Sequence, residues 1–262
     1  MGKTILAQYR EKVEKYIDKV LPSDKKEPKI LHEAMRHSVF SGGKRLRPVI
    51  VLAVGDIAGV EHEKLMPVAC GLELLHNFSL VHDDLPAMDD DDYRRGKLTC
   101  HKKFGEAVAI LAGDALLTLA FEVISETGNC PLVKAVAGAI GSEGMAGGQA
   151  FDILFKEKQV SDALKKKINE KKTGRLFQIC FEAPFYFKKV PGKEKTIISR
   201  MARNFGEAFQ LRDDMEDKEG NAEQLGEKIE ALYKRIKKDI SFFRGKGMLL
   251  DYLNDRLFKN PL

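Results

Sequence analysis

Apolar residues recur at helical spacing along most of the chain. Ile5, Tyr9, Val13, Tyr16, Ile17 and Val20 share one face of an amphipathic N-terminal helix that Pro22 brings to an end. Residues 65–85 are apolar on most faces and predict a buried helix. Residues 107–124 predict another, with only Asp114 and Glu122 charged. Residues 132–145 read as a helix of small side chains (Ala135, Ala137, Gly138, Ala139, Gly141) that would let a neighbour approach closely. Residues 197–217 and 222–243 complete the long helices. No alternating strand pattern bounded by turns is found, and no repeat. Pro191-Gly192 and Gly245-Lys246-Gly247 mark turns but separate no domains. The pattern predicts an all-α chain with one domain over residues 1–262, a helical bundle with buried central helices.

Composition narrows the classes. Hydrophobic residues make up 44% and charged residues 32%, which suits a globular protein with a sizeable core. The net charge is only +5, so charge gives no case for nucleic-acid binding. No transmembrane helix is expected, and the Lys- and Glu-bearing N-terminus is not a secretory signal. Cys70, Cys100, Cys130 and Cys180 are widely spaced and read as reduced thiols of a cytoplasmic protein.

The candidate chemistry sits in acidic and basic blocks. Six carboxylates fall within residues 83–92: Asp83, Asp84 and Asp89 to Asp92. His76, Leu80, Asp83 and Asp84 share a helical face, and Pro86 frees Asp89 to fold back towards Asp83. A metal ion held by Asp83 and Asp89 would then lie in a cavity that His76 also faces. A solvated acidic loop is the plainer alternative, weakened here because an unpaired charge ending an apolar helix is costly. Asp213 and Asp217 form a second acidic pair, one turn apart, with Gln210 just before them. Hard oxygen ligands in two clusters suit Mg²⁺, which takes a few carboxylates together with substrate phosphate oxygens. A diphosphate substrate follows.

Basic residues supply the counterpart. Gly42-Gly43 leads into Lys44, Arg45 and Arg47, so free N–H groups and three cations stand ready for an anion. The spacing is not that of a nucleotide P-loop. Arg94 and Arg95 would repel a bare metal but suit a metal-bound phosphate. Lys172-Thr173-Gly174 is too short to signify alone, and residues 165–172 read most simply as a solvated helix face.

Taken together, GGKRLRP (42–48), LELLHNFSLVHDDLPAMDDDDYRRG (72–96), FGEAVAILAGDALL (104–117), GGQAFD (147–152), KTG (172–174) and FGEAFQLRDDMED (205–217) resemble the trans-isoprenyl diphosphate synthases, and among them the bacterial type of farnesyl diphosphate synthase. The resemblance implies the isoprenoid synthase fold, a ring of helices around a central cavity, usually a homodimer. It implies head-to-tail joining of an allylic diphosphate (dimethylallyl or geranyl) to isopentenyl diphosphate. It makes Asp83, Asp84, Asp89, Asp213 and Asp217 the ligands of three Mg²⁺ ions. Arg94 and Lys172 would contact the allylic diphosphate, and Lys44, Arg47, His76 and Arg95 the isopentenyl diphosphate. Thr173 and Gln210 would place oxygens near the developing cation.

Product length follows from size. Phe78 and Ser79 lie about one helical turn deeper than Asp83, and an aromatic there would floor the space for the growing chain. In the family, Phe78 with the four-residue spacer 85–88 goes with a C15 product, farnesyl diphosphate, the C10 and C20 products being the alternatives. One departure stands out. Family members usually carry a longer loop with two lysines after the second acidic pair, whereas Asp217-Lys218-Glu219-Gly220 passes almost directly into the next helix. That shortening keeps a weakly active or non-catalytic partner subunit among the alternatives.

Overall fold

The computed structural model describes residues 1–155, 158, 160–218 and 221–259. In chain order the helices are α1 (Gly2–Val20), α2 (Lys29–Val39), α3 (Leu46–Ala58), α4 (His62–Asp83), α5 (Cys100–Phe104), α6 (Glu106–Ser125), α7 (Cys130–Ile140), α8 (Met145–Phe155), α9 (Asp162–Asn169), α10 (Arg175–Glu182), α11 (Gly192–Glu216), α12 (Ala222–Ser241) and α13 (Met248–Phe258). A π-helical turn, Glu170–Gly174, joins α9 to α10. Two short strands, β1 (Tyr93–Arg94) and β2 (Lys97–Leu98), form a small antiparallel hairpin. The all-α expectation is met.

The chain divides into two compact units. One comprises Gln8–Val49 and Met66–Gly128, the other Met1–Ala7, Ile50–Leu65 and Asn129–Leu262. In the first, Val13 and Ile17 of α1 are fully buried, as are Leu72, Leu74 and Leu75 of α4 and Leu116 of α6. Gly71 lets α4 and α6 approach, since a Cβ there would lie 2.4 Å from Ile124. Arg45 is anchored inside this unit, donating to Glu14 at 2.6 Å and Glu73 at 3.1 Å. In the second, Phe177, Phe181, Phe205 and Phe258 form a buried aromatic core whose adjacent centroids lie 5.0–5.6 Å apart. Asn129, Ser161 and Asn221 cap α7, α9 and α12 by accepting the N–H three residues on.

Several boundaries differ from the sequence expectation. The small-residue helix ends at Ile140 and a new helix begins at Met145, because Gly141 and Gly144 turn the chain too tightly for a side chain. A Cβ at Gly144 would lie 2.0 Å from the Ala139 carbonyl oxygen. Helix α11 begins at Gly192, directly after Pro191, whose fixed φ suits a helix entrance. Helices α2, α3, α5, α8, α10 and α13 add to those expected, and α9 takes up part of the helix face expected over residues 165–172. Helix α6 is long and apolar enough to cross a membrane by length and composition alone, a test that the core helix of a globular protein also passes. It packs against α2 and α5, while the side chains of Ile110 and Leu111 are exposed.

Candidate active site

Each unit carries part of the expected chemistry. In the first, α4 ends at Asp83 and the chain folds back around Pro86. The Asp89 N–H donates to the Asp83 carbonyl at 2.9 Å, and those of Met88 and Asp90 to Leu85. Asp90 takes a left-handed φ of 54° to complete the turn. The fold-back thus brings the main chain of Asp89 to that of Asp83, and Asp89 is exposed.

Asp84 turns the other way. It is buried and accepts from Arg94 Nε at 2.6 Å, while Arg94 Nη2 reaches Asp91 at 2.9 Å. Burial raises the Asp84 pKa, and the Arg94 charge and hydrogen bond oppose that rise. The two neighbouring aspartates therefore differ in their contacts: the Asp83 carbonyl accepts the Asp89 N–H, and the Asp84 carboxylate holds the guanidinium of Arg94 on β1.

A cationic cluster lies in the same unit. Arg95 follows β1 at a left-handed φ of 54°, donates to the Gly42 carbonyl, and lies flat on Gly43. A Cβ at Gly43 would fall 2.7 Å from Arg95 Nη1, so the Gly-Gly pair makes room for this guanidinium as well as for the turn. Lys44 is exposed and Arg47 half-buried. By sequence, Arg45 belongs with Lys44 and Arg47 among the anion-facing cations. The structure corrects this: Arg45 is buried and committed to Glu14, Glu73 and the Val39 carbonyl. Half-buried His76 on α4 is held well below the ordinary histidine pKa, first by burial and then by the charges of Arg47, Arg95, Arg94 and Arg45. Arg95 is depressed by burial, the neighbouring arginines adding to it and Glu73 opposing. Such an excess of positive charge is relieved by a multiply charged anion.

Phe78 packs edge-on against His82, with centroids 5.0 Å apart and planes at 74°. Ser79 turns its hydroxyl back to the His76 carbonyl at 2.9 Å. Asp90, Asp92 and His101 form a further group whose ligand atoms lie within 4.8 Å of one another. The ammonium of Lys102 already serves it, 2.7 Å from Asp92.

In the second unit the π-helical turn presents Lys172 and Thr173. Lys172 pairs with Asp152 of α8 at 2.6 Å. Thr173 donates to Gln210 Oε1 at 2.9 Å, and Gln210 Nε2 donates to buried Asp214 at 2.9 Å. Two glycines hold the turn. A Cβ at Gly148 would lie 2.3 Å from the Lys172 nitrogen, and one at Gly206 would lie 3.2 Å from Gly174 Cα. Asp213 and Asp217 stay one turn apart at the end of α11, the Asp217 N–H donating to the Asp213 carbonyl at 2.9 Å. Arg212 points elsewhere, to Glu216 and the Leu257 carbonyl. The sequence alone gives Asp152 and Asp214 no role, although Asp152 ends the GGQAFD motif and Asp214 lies four residues after Gln210, on its face of α11. Of the short connection after Asp217, Glu219 and Gly220 lie outside the described residues, and α12 begins at Ala222.

The carboxylates of each unit are hard oxygen donors, the kind that Mg²⁺ takes.

The sequence pattern of the polyprenyl synthetase family matches residues 28–234. A dimethylallyltranstransferase of Fischerella ambigua is 44% identical over 229 residues, 84% of this chain and 66% of that protein. A farnesyl diphosphate synthase of Bacillus subtilis is 42% identical over 210 residues, 77% of this chain and 71% of that one. The chain thus spans about two thirds of the length of these relatives. Among solved structures, a geranyltransferase from Legionella pneumophila superposes with a TM-score of 0.93 at 32% identity, covering 100% of this chain and 99% of its own.

Proposed function

Since this chain belongs to the polyprenyl synthetase family, we propose that it is a short-chain prenyltransferase, joining an allylic diphosphate (dimethylallyl or geranyl) to isopentenyl diphosphate to give mainly farnesyl diphosphate. The observation that carries this reading is the presence, in one unit, of the chain's fold-back from Asp83 to Asp89 and of the cationic group around His76. One part suits a metal-bound diphosphate and the other a diphosphate without metal.

Asp83 and Asp89 would hold Mg²⁺, as would Asp213 and Asp217, three ions in all, while Asp84, expected as a further ligand, is held by Arg94. When bound, Mg²⁺ takes up negative charge on the departing diphosphate. Arg94, oriented by Asp84, and Lys172 bind the allylic diphosphate as its C–O bond breaks. Lys44, Arg47, His76 and Arg95 hold isopentenyl diphosphate, whose double bond attacks the allylic cation to form the new C–C bond. The released diphosphate accepts the proton that leaves. Thr173 and Gln210 place oxygens near the cation and stabilise its charge. Phe78 floors the product space along α4, which supports the C15 product. Homodimerisation and a cytoplasmic location belong to the same reading.

The test is incubation with Mg²⁺, labelled isopentenyl diphosphate and each of the C5, C10 and C15 allylic diphosphates, with product length read by chromatography. C15 product from the C5 and C10 starters supports the proposal. Mainly C20 product replaces the C15 assignment, and no product from any starter replaces the enzyme with a non-catalytic partner subunit.

A further inference from the structure

We infer that His82 is a positioning residue for chain length, holding Phe78 in place as the floor of the product space; this rests on the prenyltransferase reading above. His82 stands one residue before Asp83 and one helical turn above Phe78, so the two rings share a face of α4. They meet edge to face at 5.0 Å, a favoured arrangement for ring pairs.

The far side of the imidazole is fixed by α6. Nε2 donates to the Ile110 carbonyl at 3.2 Å, which sets the tautomer, and Asp114 lies 3.8 Å from the same nitrogen. Gly113 is what admits the ring: a Cβ there would lie 2.2 Å from His82 Nε2 and 2.4 Å from Cδ2. The backbone of α6 therefore buttresses His82, and His82 buttresses Phe78. Phe78 is half-buried, and the ring it meets on its own helix is that of His82. With the imidazole gone, the Phe78 ring gains the vacated space and the floor yields to a longer chain.

The experiment compares product distributions from the geranyl starter for wild type, His82→Ala, Phe78→Ala and the double variant. A product ratio does not depend on how much enzyme is folded or on overall rate, so a merely structural role leaves it unchanged. His82→Ala is expected to raise the C20-to-C15 ratio about 2- to 10-fold, the scale of one lost ring contact. The double variant should give no longer product than Phe78→Ala alone, because His82 acts through Phe78. His82→Gln offers a donor to the Ile110 carbonyl without a ring and should lengthen product as well, serving if the alanine variant does not fold. Unchanged spectra in both His82 variants, with lengthening by Phe78→Ala, overturn the inference and leave the floor reading intact. If Phe78→Ala also changes nothing, the floor reading fails. Lengthening by His82→Ala beyond that of Phe78→Ala overturns the relay through Phe78.

Discussion

Gly148 on α8 lies against the backbone of Lys172, so closely that a methyl group there would sit 2.3 Å from the Lys172 nitrogen and 2.7 Å from its Cα. Main chain stands on both sides of the contact, so neither side can swing away. The π-helical turn that presents Lys172 and Thr173 depends on this approach, and such irregular turns favour functional sites. Gly148→Ala is expected to cost about 1–3 kcal/mol, the range for overpacking. It should also raise the KM for the allylic diphosphate by displacing Lys172. Gly206→Ala, with 3.2 Å to Gly174 Cα, should be milder on both counts. Thermal unfolding and steady-state kinetics of the two variants check the order.

Arg45 and Arg47 stand two residues apart and should behave as opposites. Arg45 and Glu73 are both 2% exposed at their side chains, and removing Arg45 leaves Glu73 as an uncompensated buried charge. Arg45→Ala should therefore lose about 3–5 kcal/mol in denaturant unfolding. Arg47→Ala should change stability little but raise the KM for isopentenyl diphosphate about 10- to 100-fold, the worth of a charged hydrogen bond. A large stability loss at Arg47, or none at Arg45, refutes the division.

That division marks the limit of what the sequence makes legible. Charge blocks and order pick out Asp83, Asp89, Arg95 and His76, because their chemistry depends on residue type and local spacing. Asp84 beside Asp83, and Arg45 between Lys44 and Arg47, look equivalent in the sequence. What separates them is helix phase and a distant partner: Arg94 for one, Glu14 and Glu73 for the other. The fold follows the same rule. Helices with one apolar face, such as α1 and α12, announce themselves. Helix α3 is so uniformly apolar, with Val49, Ile50, Val51 and Val54 all fully buried, that no period emerges. Helix α10 is short and follows a lysine-rich run, and the break at Gly141 hides in a stretch of otherwise good helix formers.

Asp84 can be separated from its neighbour by metal titration. Asp83→Asn and Asp89→Asn should raise the Mg²⁺ concentration for half-maximal activity about tenfold or more, because affinity for a hard cation follows ligand charge. Asp84→Asn should leave that concentration nearly unchanged and instead raise the allylic KM, through loss of the charge that orients Arg94. An Mg²⁺ shift for Asp84→Asn as large as that for Asp83→Asn would restore Asp84 as a ligand.

His76 predicts how stability depends on pH. Its folded-state pKa is held well below the ordinary value by burial and by arginine charges. Below about pH 6.5 the unfolded chain takes up a proton that the folded chain does not. Stability from neutral His76 is thus fully present above that pH and is lost as pH falls towards the folded-state value. His37, also lowered chiefly by burial, acts with the same sign. His76→Asn should flatten the loss of stability between neutral and mildly acid pH. Inorganic diphosphate, by neutralising the nearby arginines, should flatten it in the wild type. Urea unfolding across that range measures both, and a wild-type curve as steep with diphosphate as without it would count against an anion beside His76.

Gln210 links Thr173 to Asp214 in one direction only: its oxygen accepts from the Thr173 hydroxyl and its amide nitrogen donates to the Asp214 carboxylate. That pattern fixes which way the amide lies. Gln210→Glu keeps the size and removes the donor, setting an ionised carboxyl against buried Asp214. The two then share a proton most readily on the acid side, where one stays protonated and donates. The variant should lose about 10- to 100-fold in kcat at alkaline pH, the scale of one broken buried hydrogen bond, and recover part of it as pH falls. The KM for isopentenyl diphosphate should not move, since its proposed contacts lie on other elements. A pH–rate profile parallel to that of the wild type would mean that the oxygen of Gln210, and not its bond to Asp214, is what the reaction requires.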